Sequence, residues 1–336
     1  MSDMNETPAG PLPLCLLIAT GGTIAMKVDP LLDAPVPALR GEDLLAAVPG
    51  LAKVTRLEVD NLSNLPSDYM GPARWVELQR AVAAGVLREE VVGVMVSHGT
   101  DTLEETAWFL DLTVATAKPI VLIGAQRNAS EFDFDGPRNL LNGARVCGAP
   151  DACNKGVMIA MNNQINAARE AVKTHTANVE SFKSGDSGFL GTIEDARIVF
   201  SRSPLRRQHF ELYGSELPRV DIVAMYGGAD GVHVRAAAAA GAKGIVIQGL
   251  GLGNVNEAMF EAICWAIEAG VHVVMSTRVP NGSVRPHYGF VGGGKTLKEA
   301  GAVFAGDLSP QKARILLMLA LQAPNTPEQL QRLFDR

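Results

Sequence analysis

What most constrains this chain is a rhythm. Apolar runs of five to seven residues, rich in Val and Ile, recur at 14–19, 91–97, 120–124, 156–161, 221–226, 244–248 and 271–276. Several are apolar throughout rather than alternating, the pattern of strands covered on both faces. The segments between them have helical spacing. In "TLEETAWFLDLTVA" (102–115), Leu103, Ala107, Leu110 and Val114 form one stripe. "VHVRAAAAAGAKGIVIQG" reads as a helix, a stop at Gly241 and a strand. Strand and helix in alternation predict an α/β fold with a parallel sheet. A length of 336 residues is enough for two domains. The rhythm breaks over "SRSPLRRQHFELYGSELPR" (201–219), charged and aperiodic, and restarts with "VDIVAMYGG". The expected organisation is a larger N-terminal parallel-sheet α/β domain over 1–205, a linker over 206–219, and a smaller C-terminal α/β domain over 220–336. Arg202, Arg206 and Arg207 in the break read as a solvated face.

Composition narrows the function classes. A formal net charge of −6 argues against a general nucleic-acid binder. No run reaches the length of a membrane span, and the polar, acidic N-terminus lacks the basic start of a signal peptide. Cys15, Cys147, Cys153 and Cys264 are scattered with no CxxC, so free thiols in a reducing, cytoplasmic setting are expected. The six histidines (His98, His175, His209, His233, His272 and His287) form no metal-ligand spacing. There is no P-loop, no G-x-G-x-x-G and no G-x-S-x-G elbow.

Open α/β sheets bind ligands beyond the carboxyl ends of their strands, and two runs carry hydroxyls there. "LCLLIATGGTIAM" sets Thr20 and Thr23 around two glycines. "VMVSHGTDTLEET" sets Ser97, His98, Thr100, Asp101 and Thr102 at the start of a helix whose N-terminus favours an anion. Each has a plain structural reading: a turn with capping threonines, Asp101 as a helix cap, His98 as a packed histidine. A third run, "AREAVKTHTANVESFKSGD", holds Lys173. It is an ordinary surface lysine unless burial beside an Asp and a Thr makes it a base for a hydroxyl. The proline-bearing stretch 27–42 reads as a long loop suited to be a lid.

Taken together, "IATGGTIA" and "GVMVSHGTDTLEETAWFLDLT" resemble the two signatures of the bacterial-type L-asparaginase/glutaminase family. "KPIVLIGAQR", "DGPRNLLNGARV", "GLGLGN" and "SPQKARILLMLAL" match in order, from about residue 14 to the C-terminus. The resemblance implies two α/β domains and a homotetramer with sites shared between subunits. The implied reaction is hydrolysis of the L-asparagine side-chain amide, with no metal or organic cofactor. Residue by residue, Thr23 matches the family nucleophile, Thr100 and Asp101 the second hydroxyl and its carboxylate, and Lys173 the lysine of that cluster. Ser63 and Asn64 match, more loosely, the pair that holds the substrate's α-carboxylate. Asn254 matches the asparagine that reaches a neighbouring subunit's site. Asp101 is also expected to meet the substrate's ammonium, and the backbone at Thr100 to donate N–H to the oxyanion.

Two departures bear on rate and substrate preference. The family's lid tyrosine would fall at Ala34, and "RVPNGSVRPHYGFVGGG" (278–294) holds no acid where a partner glutamate is expected. Tyr69 is a candidate to fill the tyrosine's space. A weakly active or non-catalytic amide-binding homologue, a glutaminase, and a tRNA-amidotransferase-type amidase are the alternative readings.

Overall fold

The structure, a computed structural model, describes residues 11–336. The chain divides into two compact units, with the division between Leu205 and Arg206. Residues 206–219 contain no helix or strand and group with the second unit.

The first unit's strands are β1 (Leu14–Gly21), β2 (Met26–Asp29), β3 (Ala34–Pro37), β4 (Arg56–Leu65), β5 (Val91–Ser97), β6 (Ile120–Ile123), β7 (Val157–Met161), β8 (Gln164–Ala167), β9 (Val172–Lys173), β10 (Phe182–Lys183), β11 (Gly191–Glu194) and β12 (Arg197–Phe200). Its helices are α1 (Gly41–Ala46), α2 (Pro72–Leu87), α3 (Leu103–Thr113) and α4 (Gly136–Cys147). Eight strands form one sheet in the order β12-β11-β8-β7-β6-β5-β1-β4. From β4 to β7 the pairing is parallel; from β7 to β12 it is antiparallel. The sheet is therefore mixed, where the apolar runs alone suggested a parallel one. The switch of direction has a local cause. Asn162 and Asn163 both take positive φ, 49° and 59°, in the two-residue loop that joins β7 to β8. That is the backbone of a tight hairpin turn, which asparagine tolerates.

Side-chain alternation divides the sheet's two faces. In β1, Cys15 and Leu17 enter a core with Met95, Val121, Ile123, Leu140 and Ala144, on the α4 side. Leu16 and Ile18 enter the opposite core with Val94, Val96, Leu78, Leu103 and Leu110, under α2 and α3. Both faces are thus apolar, which is why β1 and β5 read as unbroken hydrophobic runs. β4 escapes that reading because it is an edge strand: "RLEVDNLSNL" alternates, with one row of side chains exposed.

The proline stretch is not a bare loop. β2 and β3 pair as an antiparallel hairpin, Lys27 opposite Val36 and Asp29 opposite Ala34, and α1 begins at Gly41. Leu31 and Leu32 are exposed at its tip.

The second unit has a four-stranded parallel sheet, β13 (Val220–Ala224), β14 (Gly244–Gly249), β15 (His272–Thr277) and β16 (Val303–Phe304), in that order. Its helices are α5 (Val232–Ala239), α6 (Glu257–Glu268), α7 (Gly294–Glu299), α8 (Pro310–Ala320) and α9 (Pro327–Phe334). Among the described residues no helix is long and apolar enough to cross a membrane.

Candidate active site

The site is built at the carboxyl ends of β1 and β5, adjacent strands whose residues Ala19 and Ser97 pair. After β1 the chain must turn sharply between two other backbones. Gly21 and Gly22 have φ of 106° and 83°. A Cβ on Gly21 would lie 2.4 Å from the Leu65 nitrogen, and one on Gly22 would lie 2.2 Å from both the Gly99 Cα and its nitrogen. The Thr-Gly-Gly-Thr turn is therefore wedged between the end of β4 and the loop after β5, and only glycine fits both the conformation and the space. Gly22 N–H donates to the Leu65 carbonyl (3.0 Å), and Thr20 Oγ1 donates to the Ser97 carbonyl (2.8 Å). Thr23, half-buried, opens a single-turn 3₁₀ helix over Thr23–Ala25. Contact between Gly22 and Gly99 brings the residue after each, Thr23 and Thr100, to one edge of the sheet.

Thr100 is buried and Asp101 exposed. Lys173 joins them from far along the chain, on the short strand β9 paired with β10. Its ammonium donates to Thr100 Oγ1 (2.8 Å) and to Asp101 Oδ1 (2.5 Å). Glu104, in the first turn of α3, holds the strand in place by accepting the Lys173 backbone N–H (2.5 Å). The lysine side chain keeps 15% exposure against 61% for the aspartate. The ion pair is therefore covered on the lysine side and open on the other, where Asp101 can meet a positively charged group.

His98 explains how the loop keeps its shape. It is fully buried, and burial pushes its pKa down to about 4. The ring is thus neutral near pH 7. Its Nδ1 lies 2.7 Å from the Gly99 carbonyl and its Nε2 lies 2.9 Å from Thr106 Oγ1. A carbonyl can only accept, so Nδ1 carries the proton and Nε2 accepts from Thr106. Thr106 in turn accepts from the Trp75 indole N–H (3.0 Å). With the Gly99 carbonyl tied inward to the imidazole, the planar trans peptide directs the Thr100 N–H the opposite way.

Ser63 and Asn64 are placed differently from the cluster. Ser63 Oγ donates to the Thr20 carbonyl (3.0 Å) and Asn64 Nδ2 to the Leu39 carbonyl (3.3 Å). Both line a cavity bordered by none of Thr23, Thr100, Asp101 and Lys173. The side chain that does abut the Thr100 loop is Ser67, four residues on. A Cβ on Gly99 would lie 2.7 Å from Ser67 Oγ, and Thr102 Oγ1 donates to the Ser67 carbonyl (2.7 Å). The sequence reading missed Ser67; its signal was the short step to Trp75, the helix residue hydrogen-bonded to Thr106. Asn254, in the second unit, closes a tight turn through backbone bonds with Leu250, while its side-chain Oδ1 is buried without a hydrogen-bond partner. Tyr69 is exposed. No group of three or more His, Cys, Asp or Glu side chains suited to a metal occurs among the described residues.

Hydroxyls, a carboxylate and an amine gathered at the carboxyl edge of such a sheet are the groups that a hydrolase acting on amides requires. The chain belongs to the asparaginase family: the family's N-terminal domain model matches residues 15–206, and the glutaminase/asparaginase C-terminal domain model matches residues 219–334. It is 36% identical to L-asparaginase 2 of Bacillus subtilis, over all of this chain and 89% of that one. It is 35% identical to L-asparaginase 2 of Escherichia coli, over 97% of this chain and 93% of that one. Its structure resembles that of a probable cytoplasmic L-asparaginase from Campylobacter jejuni, with a TM-score of 0.88 and 35% identity, covering 96% and 99% of the two chains.

Proposed function

We propose that the protein hydrolyses the side-chain amide of L-asparagine to aspartate and ammonia, with Thr23 as nucleophile. The observation that carries this reading is the Lys173 ammonium bridging Thr100 and Asp101 beside the Thr23 turn. A threonine hydroxyl is a weak nucleophile until its proton has somewhere to go, and the Thr100–Lys173–Asp101 chain supplies that route. Thr23 Oγ1 attacks the amide carbon; its proton moves to Thr100 Oγ1 as the Thr100 proton moves to Lys173 Nζ and Lys173 passes one of its own to the Asp101 carboxylate, which ends with the extra proton and returns it by the same path. The negative oxygen is held by backbone N–H donors, among them Thr100 N–H. The amide nitrogen takes a proton and leaves as ammonia, and the acyl group remains as an ester on Thr23. Water, deprotonated by the same cluster, splits the ester and restores the hydroxyl. Asp101, open on its outer side, receives the substrate's α-ammonium. The family resemblance assigns Ser63 and Asn64 to its α-carboxylate; their hydrogen bonds to Thr20 and Leu39 favour a role in holding the turn, and Ser67 is better placed for the carboxylate.

The names of the relatives, asparaginases from several bacteria, support asparagine as substrate. A homotetramer in which Asn254 completes a neighbour's site is in keeping with that residue's unpartnered buried Oδ1. Four free cysteines are in keeping with a cytoplasmic location. Ammonia release from asparagine and from glutamine, measured for wild type and Thr23→Ala, tests the reading. We expect asparagine to be the better substrate, and Thr23→Ala to lose at least about 10³-fold in kcat with an unchanged melting temperature. Undiminished release by folded Thr23→Ala rules Thr23 out as nucleophile.

A further inference from the structure

Beneath the nucleophile turn lies a cavity of about 400 Å³, within the ordinary size of a small-molecule site. Its floor is a row across three parallel strands: Ser97 of β5 and Asn61 of β4 each pair in register with Ala19 of β1, the strand between them. Ala19 is small, which opens the hollow. Ala25, Leu39 and Leu44 wall it with apolar surface, and Arg40 is the one charged side chain among its described lining residues. Ser97 follows Met95 by two residues on β5, so it faces the same layer as the core that holds Leu44 and Ala25.

We infer that this cavity is a binding site, separate from the Thr23 cluster, for a small carboxylic acid that carries a hydrogen-bonding group at its far end. Ser97 is fully buried, and its Oγ has no hydrogen-bond partner. A buried hydroxyl left so is an exception that calls for an occupant. The other polar side chains of the lining are engaged. Ser63 donates to Thr20, and Asn64 donates to Leu39. Asn61 accepts from Gly41 N–H and donates to the Glu42 carboxylate. What remains is a hydroxyl at the inner end and a guanidinium at the exposed end, separated by apolar surface. A carboxylate matches the guanidinium, a short aliphatic body matches the walls, and a terminal hydroxyl or amide matches Ser97. A cationic ligand finds no counterpart among the lining side chains, whose one charge is the positive charge of Arg40. The inference does not depend on the amidohydrolase reading.

Calorimetric titration of the full chain with 4-hydroxybutyrate, butyrate and butylamine tests it, with Arg40→Gln, Ser97→Ala and Thr23→Ala beside wild type. Arg40 is exposed and Ser97→Ala removes only an unpartnered hydroxyl, so both variants keep the fold; a thermal melt verifies this. We expect 4-hydroxybutyrate to bind more tightly than butyrate, and butylamine not to bind. Arg40→Gln should weaken 4-hydroxybutyrate binding by about 10-fold or more. Ser97→Ala should erase the preference over butyrate, and Thr23→Ala should bind as wild type does. Three results overturn the proposal: no binding of either acid to wild type, binding that survives Arg40→Gln unchanged, and binding lost in Thr23→Ala, which would put the acid in the catalytic cluster.

Discussion

Replacing Gly22 by alanine tests how the catalytic edge is assembled. The residue sits at φ 83° and ψ −177°, a region that only glycine enters freely and that costs an L-residue about 1–3 kcal/mol. The added methyl would lie 2.2 Å from the Gly99 backbone and 2.8 Å from the His98 carbonyl carbon. Backbone on both sides leaves no flexible side chain to yield, so overpacking adds about 1–3 kcal/mol. A combined loss of about 2–6 kcal/mol corresponds to a fall in melting temperature of roughly 4–24 °C for a unit of this size. Relief requires the two loops to part, which separates Thr23 from Thr100 and removes activity even in molecules that remain folded. The assay is a thermal melt followed by circular dichroism, paired with ammonia release at a temperature where the variant is folded. Gly50→Ala serves as the control, since a Cβ there meets nothing within 4 Å. If Gly22→Ala melts with wild type and turns over asparagine normally, the two loops are not wedged together and the geometric argument for the site fails.

Two further expectations follow from the cluster and its support. Lys173→Met should cut kcat by about 10²-fold or more, the size of a general-base contribution, with a smaller change in KM; normal kcat would reduce the lysine to a structural ion pair. His98, held to a pKa of about 4 by burial against 6.5 for an exposed histidine, makes stability acid-sensitive. Between those values the unfolded chain binds the proton and the folded one does not. Stability therefore falls as pH drops from 6.5 toward 4, by roughly 3 kcal/mol in all. Denaturant melts across that range should show the slope in wild type and a flatter profile in His98→Gln; equal slopes would mean that other groups govern the acid limb.

Much of the fold is legible in the sequence. The buried strands 14–19, 91–97 and 244–248 are legible because both of their faces are apolar, and the helix at 103–113 because its apolar stripe is local; its N-cap is Thr102, without a capping side-chain hydrogen bond, and not Asp101. Thr23, Thr100 and Asp101 could be singled out as chemistry-bearing residues, since the turns that hold them carry glycines; Lys173 has no glycine beside it, and only the family pattern pointed to it. Other features were hidden for physical reasons. β4 is half-exposed and alternates, so it has no apolar run. β8, β11 and β12 are four residues each, too short to show a period. The stretch 27–42, with three prolines, reads as a loop until Lys27 and Val36 are seen to pair.

Local sequence by itself determined where the chain could turn, which segments had to be buried on both faces, and which residue types could serve as nucleophile, acid and base. Only the tertiary structure decided that Lys173, 73 positions from Thr100, shares a proton network with it, and that Gly22 and Gly99 touch. It alone also decided that Ser67, rather than Ser63, lies against the Thr100 loop. These are long-range meetings set by strand order and by how a turn is wedged between neighbouring backbones, and no local propensity encodes them.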